Sequence, residues 1–210
     1  MNLSVFLVGI AHRAASLARR YGERDPRCAE TIWTAVVFAW LAIEALLNEQ
    51  AYAEIHFIGG VSKREYDKAE STAGSVERVQ TILASLYGKK LKAGTQPAQD
   101  LKLLSTVRNS LVHYNFRDPR VLRVLDELER RGYVRRAGRE PWASQPITWA
   151  MYVTPALAEW ALSTACATAD AITALMPTDG AHKADVEMIR ANFAKRPLDD
   201  GGTIVARART

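Results

Sequence analysis

The residues with the clearest chemical potential form one short run, Arg108-Asn109-Ser110-Leu111-Val112-His113, followed by Tyr114-Asn115. Arginine offers a permanent, forked donor for phosphate oxygens, and histidine carries a proton near neutral pH. Those are the two groups needed to cleave a phosphodiester without a metal ion. On a helix, Asn109 and His113 are four apart and share a face, so the amide can hold one imidazole nitrogen and fix the tautomer of the other. Arg108 stands five residues before His113, about 140° around a helix of 3.6 residues per turn. Its long side chain can still reach a shared groove. The bland alternative is a cationic pair at a helix carboxyl end, which the helix dipole favours with no chemistry attached.

Two further features bear on that run. Glu44 is an acid inside a very apolar segment, where an unpaired carboxylate is expensive. It either holds Arg108 or His113 from a neighbouring helix or lies on a solvent-facing strip with Asn48. Between Arg108 and Glu140 there are nine arginines against five acids, and Tyr133, Trp142, Trp149 and Tyr152 follow or interleave. Such a stretch suits single-stranded RNA, with Arg135, Arg136 and Arg139 as candidate contacts, but a solvated helix face and a packed loop explain it equally simply. Tyr114 either stacks a base or closes the core.

Other chemistries leave no signature. The chain has no glycine-rich phosphate loop, dinucleotide fingerprint, His-Glu-x-x-His or Gly-x-Ser-x-Gly string. His12, His56, His113 and His182 are too far apart for a metal site by local spacing. No cofactor and no metal are therefore expected. Cys28 and Cys166 match no ligand spacing and make no disulfide scaffold, which fits a reducing compartment.

Composition agrees with an ordinary globular chain. At 210 residues, 48% hydrophobic and 24% charged, it can bury a core and form one domain, with or without an appendage. The net charge of +5 is a mild basic excess that points toward phosphate-bearing partners. The apolar run from Leu3 to Ala11 lacks a basic flank and a cleavage site, so no signal peptide is expected. Ile32 to Leu47 falls short of the roughly 20 residues of a membrane span. The expected location is cytoplasmic, without a membrane partner.

Positioning the run requires helices, and the apolar spacing supplies them. Leu3 to Arg20 carries Leu3, Leu7, Ile10, Ala14 and Leu17 at intervals of three and four. Asp25-Pro26 caps a second helix reaching about Glu54, whose wide stripe of Trp33, Val36, Val37, Trp40, Leu41, Ile43, Leu47 and Tyr52 predicts a central, nearly surrounded element. The stretch from Gly59 to Thr72 reads as a loop with at most a short helical turn. Val76 to Leu86 restarts the period and ends at Gly88. Pro97 opens the helix that carries the Arg/His run, ending near Tyr114 or Asn115. Asp118-Pro119 opens another, stopped by Gly132. Residues 133–153 carry no helical period, and alternation around Ile147 to Val153 allows a short hairpin. Thr154-Pro155 caps a last long helix to about Met176, Ala184 to Phe193 adds a short one, and residues 196–210 form a mobile tail.

The Arg108-Asn109-x-x-x-His113 string, on a helix preceded by an apolar helix with an internal acid (Ala35 to Asn48) and a second long helix, resembles the HEPN domains. The likeness spans roughly residues 28–176 of a single domain, 1–195. It implies an all-α, up-and-down bundle, here with an extra amino-terminal helix and a basic loop insertion. It also implies a homodimer in which two motif helices face each other across a metal-independent endoribonuclease site, with His113 moving protons, Arg108 stabilising the phosphorane and Asn109 orienting. Defence and toxin–antitoxin roles, with an antitoxin or other protein partner, belong to the same implication. In members paired with a nucleotidyltransferase antitoxin a tyrosine lies two positions after the histidine; here Asn115 holds that place and Tyr114 precedes it. The alternatives are a non-catalytic module that binds a nucleotide, RNA or a protein through the same groove, and a structural helical adaptor.

Overall fold

A computed structural model describes residues 2–23, 25–59, 61–71, 75–112, 119–136, 153–177 and 180–194. These residues form eight α-helices: α1 Leu3–Tyr21, α2 Pro26–Ala53, α3 Lys63–Glu70, α4 Ser75–Tyr87, α5 Gln96–Val112, α6 Pro119–Arg130, α7 Pro155–Thr173 and α8 Gly180–Phe193. The class is all-α. The only β pairing among the described residues is one antiparallel bridge, Val134 to Val153. The hairpin expected around Ile147 otherwise lies outside the described residues, as do His113, Tyr114, Arg139 and the tail.

The caps read from the sequence start and stop the first helices. Asn2 accepts from the Val5 amide, and Asp25 accepts from the Arg27 amide with Pro26 in the first helical turn. Gly22, at φ 67°, ends α1 in the left-handed region that a side chain would strain. The two helices then run antiparallel: Glu49 near the end of α2 accepts from Ser4 at the start of α1, and Cys28 at the start of α2 donates to the Ala18 carbonyl at the end of α1.

Small side chains decide how closely these helices approach. Ala11, Ala15 and Ala18 of α1, Ala35, Ala39 and Ala42 of α2, and Ala158, Ala161, Ala165 and Ala169 of α7 are fully buried, so the three backbones pack tightly about Trp40, Ile43 and Leu46. The first helix, expected as an addition to the bundle, is the most extensively packed neighbour of α2. Helix α5 lies against α7 and α2, α4 against α2, α6 against α5, and α8 against α7 and α1. By length and composition alone the helix from Pro26 to Ile58 would suffice to cross a membrane, but over half of its most apolar window is buried inside the bundle.

Several details depart from the sequence reading, among them the face of α1, where Leu3 and Leu17 of the expected stripe are exposed and Val8, Ala11, Ala15 and Ala18 are buried instead. Residues 63–70 form α3, because Ser62 and Glu65 make a reciprocal capping box: the Ser62 hydroxyl and amide donate to Glu65, and the Glu65 amide donates back. The Ser62 hydroxyl also holds the Glu65 carboxyl below its ordinary range. Helix α2 ends at Ala53, close to the expected Glu54, but the helical path continues into a π-helical turn, Glu54–Ile58, closed by Gly59 at φ 76°. Tyr52, assigned to the buried stripe, is 58% exposed, since the stripe has rotated off the core by that turn.

Candidate functional site

Arg108 and Asn109 occupy the last turns of α5 and are half-buried. The helix exists there because Leu101, Leu104 and Val107 are fully buried at spacings of three against α7 and α2. That leaves Arg108 at the edge of the core. Its Nη1 donates to Asn109 Oδ1 across 2.9 Å, which fixes the plane of the guanidinium. Its Nε is buried and has no hydrogen-bond partner among the described residues. A buried, charged and unsatisfied donor is unfavourable by about 1–3 kcal/mol or more, and an anion at that position would relieve it. Asn109 was expected to orient His113, which lies outside the described residues; its amide oxygen also accepts from Arg108. His113 follows α5 directly in the chain.

Among the described residues the Glu44 carboxylate is not paired with Arg108, and His113, its other expected partner, lies outside them. The Glu44 carboxylate pairs with Arg78 of α4, and Asn48, its expected companion on a solvent strip, accepts from the Tyr66 hydroxyl of α3 at 2.9 Å. The acid in the apolar helix is thus a tie between α2 and α4. The sequence pattern could not name a partner 34 residues away.

Among the described residues, four arginines of the basic stretch are paired with acids. Arg136 forks onto Glu129, with Nε–Oε1 and Nη2–Oε2 both 2.8 Å. Arg135 reaches Glu23 at 2.9 Å, and both side chains are well exposed. Arg131 joins Asp100 and Glu127, and Arg130 also holds Glu127, whose carboxyl the two guanidinium groups push down to about 2. Of the two described arginines proposed to guide RNA, Arg135 has the more exposed tie. Tyr133 is committed to packing, its ring stacked on Trp160 with centroids 5.3 Å apart.

One cluster was not anticipated. Glu54 at the start of the π-helical turn and His182 of α8 are both buried, and His182 Nε2 lies 2.7 Å from Glu54 Oε1. The Tyr87 hydroxyl is buried nearby without a partner among the described residues, and burial first, then the Glu54 and Asp185 charges, raises it well above the ordinary phenol range. A sequence separation of 128 residues hid the pair. No group of three or more His, Cys, Asp or Glu is placed to hold a metal ion among the described residues.

Comparison of the chain with family models, with curated proteins and with solved structures found no match in any of the three.

Proposed function

We propose that this protein is a metal-independent endoribonuclease whose chemistry is carried by Arg108 and His113. The observation that supports it is the Arg108 guanidinium: oriented by Asn109, buried at Nε, without a partner there among the described residues, and carried on the last turns of α5, which His113 follows in the sequence. In the proposed reaction the ribose 2′-hydroxyl loses its proton to a base and attacks the adjacent phosphorus. The bond to the 5′-oxygen breaks, and that oxygen leaves with a proton from an acid. Arg108 stabilises the charge on the phosphorane oxygens, where a preorganised donor acts more strongly than water. One imidazole serves as base or acid; two copies of His113 across a homodimer would divide the roles, as the HEPN resemblance implies.

The test is cleavage of RNA by the purified protein in excess chelator, with 2′,3′-cyclic phosphate ends as the expected product. His113→Ala and Arg108→Ala are expected to be folded and inactive. Full cleavage by the His113→Ala protein would remove the assignment, and strict dependence on an added divalent ion would remove the mechanism. The same guanidinium also supports binding of RNA or a nucleotide without cleavage. That reading is distinguished by retained affinity, lost in Arg108→Ala, with no product from the wild-type chain.

A further inference from the structure

Folding should draw large apolar side chains out of water, yet among the described residues Leu3, Phe6, Leu17, Tyr52 and Phe57 stay open to it. Leu3 is 54% exposed, Phe6 49% and Phe57 77%. All but Leu17 lie at one end of the bundle. Leu3 and Phe6 occupy the first turns of α1, Tyr52 the last turn of α2 and Phe57 the π-helical turn after it. The 2.6 Å bond from Ser4 to Glu49 holds those two ends side by side. The aromatic side chains there also meet, Phe57 edge-on to Tyr52 with centroids 5.8 Å apart and Tyr52 against His56 at 4.4 Å.

Helix α1 extends this patch along its outer side. At about 100° per residue, Leu3, Phe6, Ile10, Arg13 and Leu17 fall within an arc of roughly 80°. That arc lies opposite the side on which Ser4, Val8, Ala11, Ala15 and Ala18 are buried. The helix is therefore apolar twice over, with small side chains turned to the bundle and larger ones turned out. Arg13, within the outer arc, is exposed, and α1 contains Arg13, Arg19 and Arg20 but no aspartate or glutamate.

We propose that this face, Leu3, Phe6, Ile10 and Leu17 of α1 with Tyr52 and Phe57 beyond them, docks the protein on an anionic lipid surface. Spanning a bilayer takes roughly 20 consecutive apolar residues, but lying on one takes a single apolar stripe. The aliphatic side chains and the two phenyl rings enter the boundary between headgroups and acyl chains, and Tyr52 keeps its hydroxyl at headgroup depth. Arg13 lays its apolar stem along the stripe and carries its charge to the lipid phosphates. Charge and shape both select this occupant. A second copy laid on the same arc would set arginine against arginine, with no acid on α1 to pair them. An outward helix face and a protruding Phe57 are convex, which a fluid surface accommodates and a protein partner would have to match with a groove. The face lies on α1 and the end of α2, so docking is independent of cleavage at Arg108.

The experiment is co-sedimentation of the full chain with phosphatidylcholine vesicles, with and without roughly one quarter phosphatidylserine, at about 0.1 M salt. Wild type is expected to sediment with the anionic vesicles and far less with the neutral ones. A basic chain gathers weakly on any anionic surface, so the decisive variants leave the charge unchanged. Leu3→Ser/Phe6→Ser is expected to weaken binding at least about tenfold and Phe57→Ser about fivefold, since each withdraws apolar surface from the lipid. Phe57 is so exposed that its replacement leaves the fold intact, and it decides the matter if the double variant melts early. Arg13→Gln is expected to weaken binding about fivefold at low salt and little at high salt. Wild type that stays in solution with anionic vesicles, or folded serine variants that bind as wild type does, overturns the proposal. So does a wild-type dimer in sedimentation equilibrium that Leu3→Ser/Phe6→Ser converts to monomer, which gives the face to a second copy.

Discussion

Arg131 and Asp100 join the end of α6 to the beginning of α5 through a 2.7 Å contact between Nη1 and Oδ1, with the side chains only 22% and 12% exposed. Asp100 also accepts from Gln96, and Arg131 also holds Glu127, so the ion pair is enclosed in a small network. Its charges are already drawn out of solvent, and removing one partner strands the other. Arg131→Gln is expected to lower stability by about 1.5–3 kcal/mol, within the range for hydrogen bonds to charged groups. For a chain of this size that is a fall of roughly 3–12 °C in Tm by thermal melting. A double-mutant cycle with Asp100→Asn should give a coupling of at least about 0.5 kcal/mol; additivity would show that the two side chains act independently.

The Glu127 carboxyl gives that network an acid limit. Its folded value, about 2, lies below the ordinary 4.5 because Arg130 and then Arg131 donate to it. A depressed carboxyl contributes stability in full above its unfolded value and loses it as pH falls through the folded one. Wild type and Glu127→Gln are therefore expected to differ most at neutral pH and to converge between about 4.5 and about 2. The group is substantially hydrated, so the difference should also shrink in high salt. Chemical denaturation at stepped pH measures both trends, and a gap that widens on acidification would contradict them.

Much of this architecture was legible in the chain. Trp40, Ile43 and Leu47 announced a buried helix by their spacing, and Asp25-Pro26 and Asp118-Pro119 announced helix starts. What was hidden was of two kinds. The Ser62–Glu65 capping box was missed because the mixed charges of residues 63–70 carry no apolar period, although the S-x-x-E string was present. Partners distant in sequence, Glu44 with Arg78 and Glu54 with His182, leave no local pattern at all, since any cation or imidazole on a packed neighbour would satisfy the same carboxylate. The proposed site was half legible for a similar reason: spacing named Arg108 and Asn109, but only the fold shows Arg108 buried at Nε and held by its neighbour.

The internal pairing of the basic stretch sharpens what its replacement should do. Arg135 and Glu23 are both exposed, so losing their contact should lower stability by less than about 1 kcal/mol. If Arg135 instead contacts RNA, Arg135→Gln should flatten the salt dependence of binding by roughly 0.7 of a slope unit on a single strand. Arg136, forked onto Glu129, is expected to affect Tm more than the slope. Fluorescence anisotropy across a salt series, read beside thermal melts, separates the two. An unchanged slope in Arg135→Gln returns the residue to the solvated surface.

Glu44 offers the most direct separation of scaffold from chemistry, because its only partner described here is Arg78 and both side chains are partly buried, at 20% and 35% exposure. Arg78→Met leaves a carboxylate against the apolar face of α2 without its counter-charge and should destabilise the chain by about 1–3 kcal/mol. Glu44→Gln/Arg78→Met removes the stranded charge and should recover part of that loss. If Glu44 only ties α2 to α4, the double variant cleaves or binds RNA as the wild type does once both are assayed well below their melting temperatures. A residue that supported Arg108 or His113 would behave differently: activity would fall in Glu44→Gln even where stability was recovered, and the fall would persist in the double variant. Measuring melts and RNA turnover on the same three proteins decides between the two. The expected result is recovered stability with unchanged turnover, because the geometry commits the Glu44 carboxylate to α4.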